Sequence, residues 1–82
     1  MELLKKVRKL LIKEFPPPDK VELVDDHGII GAVVSKRFEG MESIDRINII
    51  WDLFEKGLTR DERKGIVTVV AVTPLEEIAH RV

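Results

Sequence analysis

At 82 residues the chain sits near the lower size limit for independent folding, which leaves room for one domain over residues 1–82 and excludes a second core. Hydrophobic residues at 44% exclude a disordered tail, and charged residues at 35% exclude a membrane protein. A formal net charge of -1 excludes capture of nucleic acid or anionic lipid by bulk charge, so any such contact has to be local.

Leu3, Leu4, Val7, Leu10 and Leu11 recur at helical spacing with Lys and Arg on the opposite arc, which predicts an amphipathic helix from Glu2 to about Glu14. Pro16, Pro17 and Pro18 end it, and three fixed φ angles predict a stiff extended spacer. Val21 and Leu23 flank Glu22 before Asp25, Asp26, His27 and Gly28, the pattern of a strand entering a tight turn. Ile29 to Ser35 is almost continuously apolar. It reads as the central strand, buried on both faces, with Gly31 admitting a close neighbour. Beyond a connection from Lys36 to Gly40, Ile44, Ile47, Ile50, Trp51 and Phe54 define a long buried helical face that Gly57 stops. Thr59 and Glu62 stand at capping-box spacing, predicting a helical turn over Arg60 to Lys64 closed by Gly65. Ile66 to Val72 is β-branched at six of seven positions and predicts a strand. Thr73, Pro74 and Glu76 combine an N-cap, an N1 proline and a capping box at the start of a last helix reaching about His80. The imidazole of His80 would favour that helix's C-terminus.

The order is therefore α-β-β-α-α-β-α. The tight turn makes the first two strands antiparallel, and the long helical connection allows the third to run parallel to the second. The expected fold class is α+β in two layers, with a mixed three-stranded sheet in the order 1-2-3 and type II KH-like topology. Helices on one side leave the opposite, apolar sheet face open, where a weak homodimer or a docked protein is expected.

Zero cysteine removes disulfides, thiolate metal sites and cysteine nucleophiles together, and fits a reducing cytoplasm, the expected location. The longest apolar run, Ile29 to Val34, is too short to span a membrane. No nucleophile with a nearby base, phosphate-cradling loop or metal-spaced cluster is visible, so the chain reads as no enzyme. His27 beside Asp25 and Asp26 is the one candidate metal ligand, although Asp and Gly make turns without any ion. Gly28-Ile29-Ile30-Gly31 matches the phosphate clamp of KH domains in letters, yet it opens a strand where that clamp joins two helices. Lys56, Arg60, Arg63 and Lys64 form the alternative, a nucleic-acid or partner patch diluted by Glu55, Asp61 and Glu62. The basic arc of the first helix could meet lipid headgroups, nucleic acid or an acidic protein.

Three segments carry a family resemblance: Val33-Val34-Ser35-Lys36-Arg37-Phe38-Glu39-Gly40-Met41, then Arg46, then Thr73-Pro74-Leu75-Glu76-Glu77. Their order and spacing resemble the BolA family, with Ser35, Phe38, Gly40, Arg46, Thr73, Pro74 and Glu76 as the matching signature. The resemblance implies a small non-enzymatic protein, either a partner of monothiol glutaredoxins in iron-sulfur homeostasis or a DNA-binding regulator in stress responses. Family members that share a two-iron, two-sulfur cluster supply a histidine before the third strand, where this chain has Gly65. They take a second ligand from the first strand turn, where His27 is the partial match. A frequent third histidine corresponds to Ile47. No cofactor of its own, and no cluster held by the usual pair, is therefore expected.

Overall fold

The computed structural model describes residues 2–80, the side chain of His80 excepted, so the expectation for that imidazole lies outside the described residues. Helix α1 covers Glu2–Glu14, strand β1 Lys20–Asp25 and strand β2 Ile29–Val34. Helices α2, Ser43–Gly57, and α3, Arg60–Arg63, lead to strand β3, Ile66–Val72, and helix α4, Pro74–His80. A 3-10 turn over Lys36–Phe38 follows β2. The sheet has the order β1-β2-β3, with β2 antiparallel to β1 and parallel to β3, as the connection lengths imply.

The amphipathic stripe of α1 is what seats it. Val7 and Leu11 are fully buried, and the helix packs on β1 and on α2, while α2 in turn packs on β3. Val7 and Leu11, with Ile50 and Phe54 from α2, meet Leu23, Ile29, Val33 and Val69 from the three strands in one core. Val24, Val67 and Val70 remain exposed on the sheet.

Three local readings are corrected. The proline run is not an extended spacer: Asp19 N–H donates to Pro16 O at 3.1 Å, closing a turn around a cis Pro17–Pro18 bond. Ile44 and Ile47 are exposed, because each step of three residues falls about 60° short of a full helical turn. The stripe therefore drifts off the contact line that Ile50 and Phe54 occupy. Strand β2 is fully buried at Ile29, Val33 and Val34 but only half-buried at Ile30 and Ala32, since nothing among the described residues covers the middle of that face.

Gly57 is the last residue of α2 and has no left-handed φ. A Cβ there would lie 2.7 Å from Leu10 Cδ1, so the glycine lets α1 approach α2. Gly31 serves β1 in a similar way, and there the obstacle would be backbone.

Candidate functional site

The signature residues converge where β2, β3, α2 and α4 meet. Ser35 is buried and makes three connections. Its N–H donates to Val72 O at 3.0 Å, its hydroxyl donates to Asp19 Oδ2 at 2.9 Å, and its Oγ accepts from Arg37 N–H at 3.1 Å. One side chain thus caps the 3-10 turn and ties it to the entry of β1. Phe38 follows, fully buried, with its ring centroid 5.5 Å from that of Phe15. Gly40 takes φ 77°, the left-handed region where glycine carries no Cβ penalty, and a Cβ there would meet nothing. Its requirement is conformational.

Arg46, on the first turns of α2, reaches across to β3 and α4. Its Nε donates to Met41 O at 3.1 Å, Nη1 to Ala71 O at 3.3 Å and to Glu76 Oε1 at 2.6 Å, and Nη2 to Glu76 Oε2 at 3.3 Å. Thr73 completes the arrangement with the predicted capping box: Glu76 N–H donates to Thr73 Oγ1 at 3.2 Å, and Thr73 N–H to Glu76 Oε1 at 2.9 Å. Pro74, first in α4, lacks an N–H at a position where none is needed. These residues hold the fold's corner. On its outside lies a hollow of about 320 Å³ whose lining includes Val34, Pro74 and Ile78 together with the charged Asp19, Lys20 and Glu77.

The Arg46 guanidinium, and after it the Thr73 N–H, hold the Glu76 carboxyl at about 2. A carboxyl whose folded pKa lies below its unfolded one stabilises the fold above the unfolded value, and that contribution is lost as pH falls through the folded one. The melting temperature should therefore drop between about pH 4.5 and pH 2. In Glu76→Gln the drop should be smaller, a comparison thermal scans across that window make directly.

Three contacts beside the corner had no sequence signal. Asp19 accepts from Ser35. Arg37 lies over the Phe15 ring with its Cζ 4.7 Å from the centroid, and also donates to Glu14 O at 3.1 Å. Each joins residues at least 16 positions apart, beyond any local pattern.

His27 stands at the tip of the β1–β2 turn with φ 57° and a side chain 98% exposed, its Nε2 4.0 Å from Asp26 Oδ1. Asp25 Oδ1 accepts from Gly28 N–H at 3.2 Å, so the turn is built from its own groups. Gly65 lies close by: its carbonyl accepts from Ile29 N–H at 2.8 Å. The two positions at which the BolA resemblance expects ligands are thus near one another, and one carries no side chain. Among the described residues no group of three or more His, Cys, Asp or Glu could hold a metal ion. The donor set does not fit an iron-sulfur cluster.

The α2–α3 patch lies on the end of α2 and on α3, with Lys56, Arg60 and Lys64 exposed and Arg63 half-buried. Arg63 Nη1 donates to Leu58 O at 2.9 Å, and Lys64 Nζ lies 3.7 Å from Asp61 Oδ1. No helix among the described residues is long and apolar enough to cross a membrane.

Neither a protein-family model nor any curated protein sequence matches the chain. Two solved structures do. BolA1 from Arabidopsis thaliana aligns over 90% of this chain and 94% of its own with a TM-score of 0.69 at 24% identity. The BolA domain of SufE1 from Arabidopsis thaliana aligns over 89% of this chain and 93% of its own with a TM-score of 0.60 at 27% identity. The fold is BolA-like, as the signature residues imply.

Proposed function

We propose that this BolA-like chain is a non-enzymatic protein-binding module, with a monothiol glutaredoxin as its partner in iron-sulfur homeostasis or stress regulation in the cytoplasm. The observation that carries the reading is the corner itself. Ser35, Phe38, Gly40, Arg46, Thr73, Pro74 and Glu76 come from three separate segments and assemble into one framework, with Pro74 lining the hollow outside it and no group among them free to act as a nucleophile. The likeness to a BolA domain carried within SufE1 fits a unit that works beside other protein surfaces. Since the donor set fits no cluster, the complex needs only surface contacts.

Mixing the purified chain with an apo monothiol glutaredoxin and following co-elution tests this. A one-to-one complex is expected. Failure to co-elute, combined with salt-sensitive recovery of nucleic acid that Arg60→Glu abolishes, would instead favour the KH-like nucleic-acid reading.

Weak self-association through the open sheet face belongs to the same reading, because Val24, Val67 and Val70 are exposed there. Val70→Lys should return any dimer to monomer in sedimentation equilibrium while leaving the melting temperature unchanged.

A further inference from the structure

Helix α1 carries a second surface, and none of its residues belongs to the signature. At about 100° per residue, Ile12 lies about 140° around the helix from buried Val7, a position where an amphipathic pattern calls for a polar side chain. Ile12 is nevertheless only 40% exposed. Lys5, Arg8, Lys9 and Lys13 surround it, and together the five line a shallow hollow of about 490 Å³. Lysine and arginine stems cover apolar surface while their charged ends stay in water, so the floor is aliphatic and the rim cationic.

Those cations are uncompensated. Among the described residues no carboxylate lies within 4.0 Å of Lys5, Arg8, Lys9 or Lys13, whereas Lys6, one position away, pairs with Glu62 at 2.7 Å. Arg8 instead donates to Leu23 O at 3.4 Å, so it stands between this hollow and the edge of β1. Lys5, Lys9 and Lys13 follow one another at four-residue spacing, where like charges repel and weaken a helix. Helix stability does not explain the row, and four unpaired cations on one face stand out in a chain of net charge -1.

We propose that this face docks an acidic, amphipathic segment of a partner protein, its carboxylates against the lysines and an aliphatic side chain over Ile12. Charge complementarity and the apolar centre select this occupant. A phosphate backbone would use the cations and leave Ile12 without a contact, and a membrane surface needs far more inserted apolar area than one half-exposed isoleucine. An acidic helix with an aliphatic residue at each turn uses both parts of the site.

The test titrates the full chain into a fluorescein-labelled peptide of about 14 residues with Leu at helical spacing and Glu elsewhere. The comparators are the same peptide with Leu replaced by Ser, a single-stranded oligonucleotide and phosphatidylglycerol vesicles. Saturable binding to the first peptide is expected, weakening about tenfold as salt rises from about 50 to about 300 mM. Lys9→Glu should weaken it severalfold, and Lys5→Glu, Lys9→Glu and Lys13→Glu together should abolish it with the far-ultraviolet spectrum unchanged. Ile12→Ser should weaken binding of the leucine peptide about fivefold and leave the serine peptide unaffected. The proposal is overturned if the peptide does not saturate, if the oligonucleotide or the vesicles bind more tightly than the peptide, or if Lys9→Glu and Ile12→Ser leave binding unchanged.

Discussion

Gly31→Val should leave the chain without a stable fold, and Gly31→Ala should already cost about 3 kcal/mol or more. Gly31 lies opposite Leu23 in the antiparallel pair. A Cβ built on it would overlap Glu22 O, and would come within 2.6 Å of Leu23 Cδ2 and 3.0 Å of Leu23 Cα. Glu22 O and Leu23 Cα are backbone, which cannot swing aside as a side-chain tip can, so β1 would have to leave β2. Leu23 would then leave the core, and the α1 contacts on β1 would go with it. The φ of Gly31 is not in the left-handed region, so the cost is steric and grows with side-chain size. Chemical denaturation of the alanine variant measures it, and loss of amide dispersion in the valine variant reports the unfolded chain.

Phe38→Ala should cost about 3–5 kcal/mol, a large share of what a domain of this size possesses. The ring is fully buried at the end of the 3-10 turn, against Phe15. Removing it leaves a cavity beneath Ser35 and Arg37, whose bonds to Asp19 and Glu14 hold that turn against the end of α1 and the entry of β1. Phe38→Leu should retain about half or more of the lost stability, because an aliphatic side chain refills part of the volume. Equal losses for the two variants would show that the aromatic contact, rather than volume, dominates the site.

The elements were legible because their signals are local. Capping boxes at Thr59 and Thr73 need only three-residue spacing, and both form as expected. The strand order followed from connection lengths, and the close approach at Gly31 from a lone glycine in an apolar run. What escaped depends on tertiary geometry. Ile44 and Ile47 look core-facing in sequence, and only the line along which α2 meets β3 shows that the stripe drifts away from it. Fixed φ angles alone make the proline run read as an extended spacer, and only the Asp19 bond to Pro16 O shows that the chain turns there. The signature residues were visible as a pattern, but their work was not: Arg46 joins Met41, Ala71 and Glu76, and no periodicity predicts a contact across 30 positions. The four cations around Ile12 were seen as a basic arc, whereas their lack of acidic partners could be read only from the fold.

The reading as a partner module that ligates no cluster is tested most directly by visible circular dichroism of the chain mixed with a monothiol glutaredoxin during cluster reconstitution. One exposed imidazole at His27 and no side chain at Gly65 cannot supply a pair of ligands. The expected result is a complex that co-elutes yet adds no new visible bands to those of the glutaredoxin alone. Gly65→His should then move the mixture toward a cluster spectrum, since a Cβ at that position meets only the Leu3 Cδ2 tip at 2.6 Å and Glu62 O at 3.4 Å. A distinct cluster spectrum with the unsubstituted chain, lost in His27→Ala, would contradict the account.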